Sequence, residues 1–173
     1  MIWKASTKNL KKRQIISICK LKNLFFPWTI RKQLEWYKKK AKKTDINNML
    51  IINNRLVGYT LLRKRNAYEN NKSFIYYYLD SLVIHKKFRN KGFGKTFILF
   101  NNKILSKLKK HSFLTCTKKT IPFYLKYNWK ILPKNKFKIM DHKPVWFSSA
   151  TSINGMTYNL DRKVKKEIFY YFN

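Results

Sequence analysis

Four residue classes are scarce in this 173-residue chain: acids, glycine, proline and cysteine. Seven Asp and Glu stand against 40 Lys and Arg, a formal net charge of +33. So few carboxylates leave few candidates for a general base. The two cysteines, Cys19 and Cys116, are too few and too far apart for a zinc site or a disulfide framework. They fit a reducing compartment. No apolar run approaches the ~20 residues that a membrane-spanning helix requires. Lys4, Lys8, Lys11 and Lys12 do precede an apolar patch, "IISIC", but Lys20 and Lys22 break up the next stretch and no small-residue cleavage site appears. The expectation is a soluble, cytoplasmic protein with no membrane partner. With four glycines and four prolines there is no low-complexity linker, and no internal repeat is visible.

What is present is globular: 45% apolar and 17% aromatic residues, enough for a core and too many for a disordered chain. The length suits one domain, residues 1–173. The charge allows two readings. Summed Lys and Arg fields attract polyanions, which makes RNA a candidate partner. Lys, Asn and Ile also abound together and the lysines spread along the whole chain, so compositional bias accounts for most of the charge.

Periodicity gives a coarse order of elements. "RQIISICKL" (13–21) reads as a first strand. "PWTIRKQLEWYKKKAKK" (27–43) reads as an amphipathic helix opened by Pro27, with Ile30, Leu34, Trp36 and Tyr37 on one side. "NMLIINNRLVGYTLLRKR" (48–65) forms two β-runs around Asn53-Asn54, hence a hairpin. "SFIYYYLDSLVIH" (73–85) is a long β-branched and aromatic run, the strongest strand signal in the chain. A helix comes next over 95–110, then a strand at 112–116, a Pro-led helix over 120–130, and closing strands to about residue 160. The implied architecture is α/β: helices packed on a central mixed sheet.

The segment "RNKGFGKT" (89–96) holds two of the four glycines among cations and ends in Gly-Lys-Thr. A P-loop would need glycine where Arg89 stands, and the dinucleotide fingerprint would need one where Phe97 stands. Neither pattern is met. What remains is a strand ending in "LVI", a short basic turn and Arg-x-x-Gly-x-Gly opening a long helix. "PFYLKYNW" (122–129) comes about thirty residues on, and "LVGYTLL" (56–62) precedes it. Together these resemble the acetyl-CoA-binding core of the GNAT superfamily of N-acetyltransferases, from about residue 13 to 132. One departure is Asn128, where the second signature has glycine; Asn also tolerates positive φ.

The resemblance implies a GNAT-like acyl-CoA N-acyltransferase fold, with a mainly antiparallel sheet and splayed strands 4 and 5. It also implies acetyl-CoA as co-substrate, direct transfer to a primary amine, and no metal. The pyrophosphate would meet Arg89, Asn90, Lys91, Gly92, Phe93, Gly94 and Lys95, where helix N-terminal N–H groups lack intrahelical partners. The acetyl-pantetheine would lie along Leu82, Val83 and Ile84, with the Leu82 N–H polarising the thioester oxygen. Tyr124 would protonate the leaving thiolate, with Tyr127 as a rival and core packing as the alternative. For the base, Asp80, Tyr78 and an ordered water remain open. Asp80 shares the Leu82 face unless a bulge intervenes, and a purely structural Asp80 is about as plausible. His85 is expected to be solvated, His111 and His142 show no partner pattern, and Cys116 is expected to pack. A cationic surface favours an anionic or small amine: an amino-sugar nucleotide, an amino metabolite or an aminoacyl-tRNA. The alternatives are a protein N-terminal or lysine acetyltransferase, and a basic nucleic-acid-binding module without catalysis. The residues do not separate monomer from homodimer.

Overall fold

The computed structural model describes residues 1–26, 28–140, 153–160, 164 and 166–172. Pro27 and His142 lie outside the described residues. The chain divides into two compact units, Met1–Arg63 with Leu79–Phe97, and Lys64–Tyr78 with Ile98–Asn173. Strands β3 (Arg55–Glu69) and β4 (Lys72–Ile84) and helix α3 (Phe93–Leu108) each contribute to both.

In the first unit the strand order is β1 (Ile2–Ser6), β2 (Ile46–Ile52), β3, β4. Asn53 and Asn54, both at positive φ (47° and 58°), form the tight turn between β2 and β3, as the sequence suggests. Asn70 and Asn71 repeat the device between β3 and β4 at φ 52° and 61°. Helices α1 (Lys12–Asn23) and α2 (Ile30–Lys40) cover one sheet face. Ile18, Cys19 and Leu21 pack there against Met49, Tyr59, Leu61 and Val83. On the opposite face Phe97 of α3 packs against Leu50, Val57 and Ile84.

The expected first strand over 13–21 is instead helix α1. Its buried residues Ile18, Cys19, Leu21 and Lys22 fall on a helical stripe, not a two-residue alternation. The helix opens where the Gln14 side chain accepts the Lys11 N–H at 2.8 Å. The first strand is β1, a five-residue stretch that contains Lys4 and pairs antiparallel with β2. Helix α2 begins at Ile30, capped by the Thr29 hydroxyl, which accepts the Lys32 N–H at 3.2 Å.

In the second unit β9 (Ile168–Tyr170) pairs with β3, and β4 leads on through β5 (Ser112–Thr117) and β8 (Ile153–Tyr158) to β6 (Lys130–Leu132). β7 (Phe137–Ile139) joins β9 in parallel. The sheet is thus mixed and mainly antiparallel. β4 and β5 run parallel and pair at only Tyr77–Ser112 and Tyr78–Phe113, whereas β5 pairs with β8 from end to end. The core of this unit is aromatic: Phe113 stacks on Tyr170 at 3.9 Å and Tyr78 on Phe172 at 4.0 Å. The short helix α4 (Ile121–Leu125) carries Pro122 in its first turn, as the sequence suggests.

One glycine sets a close approach in the first unit. A Cβ on Gly58 would lie 2.5 Å from Phe97 Cε2 and 3.0 Å from Ile84 Cδ1. Gly58→Ala is therefore expected to lower stability by about 1–3 kcal/mol through overpacking, read from denaturant unfolding. An unchanged midpoint would mean that Phe97 turns aside freely.

Candidate acetyl-CoA site

β4 ends by handing its chain to a turn built of backbone bonds. The His85 N–H donates to the Val57 carbonyl at 2.8 Å, the Phe88 N–H to His85 at 2.8 Å and the Arg89 N–H to Lys86 at 3.2 Å. His85 is half-buried and its Nδ1 accepts the Lys87 N–H at 3.3 Å, so it braces the turn. The Arg89 Nε donates back to the Ile84 carbonyl at 3.3 Å, while its guanidinium lies 4.7 Å from the Phe25 ring centroid. Asn90 at φ 60° and Gly92 at φ 77° then reverse the chain into α3. The Gly92 carbonyl takes both the N–H and the hydroxyl of Thr96, at 3.1 and 3.2 Å. Intrahelical bonding thus starts at Thr96, ahead of which stand the N–H groups of Phe93, Gly94 and Lys95.

The turn is open to solvent. Arg89, Asn90, Lys91, Gly92 and Lys95 are exposed, and nothing lies within 4 Å of a Cβ built on Gly92. Bare backbone N–H groups at the positive end of a 16-residue helix, ringed by three cations, form an anion cradle. The residues present therefore fit a pyrophosphate.

Upstream, β4 changes phase. Asp80 meets Arg63 of β3 and Lys22 of α1, so it points to the α1–α2 face, and Val83 packs in the same cluster. These two residues are an odd number apart, which a regular strand places on opposite faces. Leu82 and Ile84 pack instead with Phe97 on the other face. The side chains change face between Asp80 and Val83, so Asp80 does not share Leu82's face.

Asp80 is fully engaged. Arg63 Nη1 lies 2.9 Å from Oδ2, the Ser81 hydroxyl donates to Oδ1 at 2.6 Å, and Lys22 Nζ lies 3.8 Å from Oδ1. Burial alone would push this carboxyl up, but the Lys22 and Arg63 cations together with the Ser81 hydrogen bond hold it below its ordinary range. For Lys22 burial dominates and pushes the ammonium down, opposed by Asp80. The difference is physical: the carboxylate has a short bond to Arg63, whereas Lys22 has one distant partner and the Trp36 ring, 3.9 Å away. A carboxylate with lowered proton affinity is a weak base.

In the second unit Tyr124 sits half-buried on α4, edge-on to Phe123 (5.1 Å) and Trp129 (6.0 Å). Burial, with a smaller contribution from Cys116, pushes its phenol well up, so it stays protonated. Cys116 is likewise pushed up by burial against a hydrogen bond from Thr120, and remains a thiol. Asn128 adopts φ 64°, filling the left-handed cap that the second signature requires. Asn102 of α3 clamps this end: its Nδ2 donates to the Tyr127 carbonyl at 2.8 Å and its Oδ1 accepts Trp129 Nε1–H at 3.0 Å. Asn102 escaped the sequence reading; its signal is a polar residue on the apolar side of a helix. The Tyr78 hydroxyl bonds Thr115 Oγ1 at 3.0 Å, and His111 Nε2 meets the Tyr170 hydroxyl at 2.6 Å, a partner the sequence did not reveal.

The sequence model of the Acetyltransferase (GNAT) family matches residues 15–129. The chain belongs to the GNAT acetyltransferase family. That membership makes it an acyltransferase of the N-acetyltransferase class. No curated protein sequence matches the chain. Solved structures share its fold at low identity. An acyl-CoA N-acyltransferase from Pseudomonas aeruginosa is 11% identical, with a TM-score of 0.67 over 91% of this chain and 97% of that one. The ribosomal-protein-S18-alanine N-acetyltransferase of Escherichia coli gives 12% and 0.63 over 95% and 97%. An aminoglycoside 6′-N-acetyltransferase complexed with coenzyme A gives 12% and 0.64 over 93% and 99%. Among the described residues, no helix of this GNAT protein is long and apolar enough to cross a membrane.

Removing the Asp80 charge strands two buried cations. Asp80→Asn is expected to cost about 3–5 kcal/mol in denaturant unfolding. Asp80's folded pKa lies below its unfolded value, so its stabilisation is complete above about pH 4 and is lost as pH falls further. The variant is expected to show a shallower acid limb than the native protein; equal limbs would mean that the ion pair contributes nothing to acid stability.

Proposed function

We propose that this protein transfers the acetyl group of acetyl-CoA directly to a primary amine. The observation that carries the reading is the exposed left-handed turn Asn90–Gly92, set between the phase-broken end of β4 and the bare N-terminus of α3. Acetyl-CoA, when bound, supplies the activated thioester. The first-turn N–H groups of α3 hold the pyrophosphate, with Arg89, Lys91 and Lys95 adding charge. Leu82, Val83 and Ile84 line the pantetheine, and the Leu82 N–H donates to the thioester oxygen as charge develops there. The two-rung β4–β5 ladder and the phase break both favour an unpaired N–H at this point.

The Tyr124 hydroxyl holds the proton that the departing sulfur needs; its burial keeps it protonated across neutral pH. Of the three candidates for the base, Asp80 is held in ion pairs that favour a positioning role, which leaves water to remove the amine proton. Tyr78 is committed to Thr115 and to its stack on Phe172. The acceptor is anionic or small, because the chain's net charge of +33 repels polyamines. Amino-sugar nucleotides, amino metabolites and aminoacyl-tRNA meet that condition.

Acetyl-CoA is expected to raise the melting temperature, and Gly92→Glu to abolish that shift while the unliganded melting temperature changes less. No shift with the native protein at millimolar acetyl-CoA would refute the reading. Tyr124→Phe is expected to lower turnover about a hundredfold in a thiol-release assay, with little change in acetyl-CoA affinity. Unchanged turnover would take Tyr124 out of the mechanism.

A further inference from the structure

Among the described residues, one face of the second unit's sheet carries exposed side chains. In β3, Lys64, Asn66 and Tyr68 are exposed while Arg65, Ala67 and Glu69 alternate with them and are buried. β9 places Phe169 opposite Tyr68, and β7 places Lys138 opposite Phe169. Tyr68, Phe169 and Lys138 therefore form a row across three strands on one face. The other face of the same strands, with Ala67, Ile168 and Tyr170, is fully buried core. Tyr171 extends the row: its ring meets Tyr68 edge-on at 5.4 Å. Tyr68 and Tyr171 are 38% and 37% exposed and Phe169 is half-buried. The Lys138 ammonium lies 5.9 Å from the Phe169 ring and pairs with Glu167 at 3.1 Å.

Scattered exposed aromatics are ordinary. Tyr68 and Phe169 on adjacent strands, with Tyr171 just past the end of β9, form a patch flanked by Lys64 and Lys138 that calls for an occupant. We propose that this face binds single-stranded nucleic acid, with bases stacking on Tyr68, Phe169 and Tyr171 and phosphates meeting the lysines. Charge selects this occupant. A second copy of a chain carrying +33 is repelled, whereas a polyanion is attracted. A duplex buries its base faces and offers nothing to stack. The proposal uses none of the residues assigned to acetyl transfer and stands independently of that assignment.

The test is fluorescence anisotropy at physiological salt with labelled oligouridylate and oligothymidylate of about 12 nucleotides, and a duplex of the same length. Single strands are expected to bind more tightly than the duplex, and the two polymers report whether RNA or DNA is preferred. Tyr68→Ala with Tyr171→Ala is expected to weaken binding about tenfold or more. Lys138→Ala is expected to reduce the log–log salt slope by about 0.7. A native far-ultraviolet circular dichroism spectrum and an unchanged unliganded melting temperature verify folding. Should the aromatic variant unfold, Lys64→Glu with Lys138→Glu is compared with Lys38→Glu and Lys39→Glu on α2, and only the first pair is expected to weaken binding strongly. Absent single-strand binding, equal binding of the duplex, native affinity in the folded aromatic variant, or equal loss from both charge variants would each overturn the proposal.

Discussion

Asp80 is a largely buried carboxylate that two buried cations share, and the first unit is arranged around that fact. Its short bond to Arg63 ties β4 to β3, and Lys22 brings α1 into the same cluster. A buried ion pair of this kind contributes little net stability against an apolar substitute, but it cannot be half removed. It therefore specifies which way β4 faces at residue 80. From that fixed point the strand breaks phase, so Val83 meets the α1–α2 core while Leu82 and Ile84 meet Phe97. The change of face in β4 thus sits beside an electrostatic anchor.

The turn after β4 depends on a second constraint, the left-handed backbone at Asn90 and Gly92. Asn and Gly are the residues that adopt this conformation at least cost. Among the described residues Asn also takes left-handed positions at Asn53, Asn54, Asn70, Asn71, Asn128 and Asn159, and Lys109 takes one more. Glycine is kept at Gly92, where the turn is also open for a ligand to approach, and at Gly58, where Phe97 and Ile84 leave no room for a Cβ. A chain with four glycines places two of them, Gly92 and Gly94, at the exposed turn and the first turn of α3.

Local signals were legible in the sequence. The Asn53–Asn54 hairpin, the long strand β4, the start of α3 and the Asn128 cap all rest on side-chain chemistry within a few residues. What was lost was tertiary. "RQIISICKL" alternates loosely enough to pass for a strand, and only its packing on Met49, Tyr59 and Leu61 selects the helix. β1 is too short to announce itself without β2 beside it. The roles of Asp80 and Asn102 are set by Arg63, Lys22, Tyr127 and Trp129, partners distant in sequence. The motifs pointed to the family and to the turn; the charge state of the candidate base required the fold.

The central claim is that the Asn90–Gly92 turn and the end of β4 receive coenzyme A. A crystal structure of the protein grown with coenzyme A tests it most directly. Pyrophosphate oxygens are expected within hydrogen-bond distance of the Phe93, Gly94 and Lys95 N–H groups, with the pantetheine running along Leu82. Coenzyme A bound elsewhere, with this turn left empty, would contradict the claim.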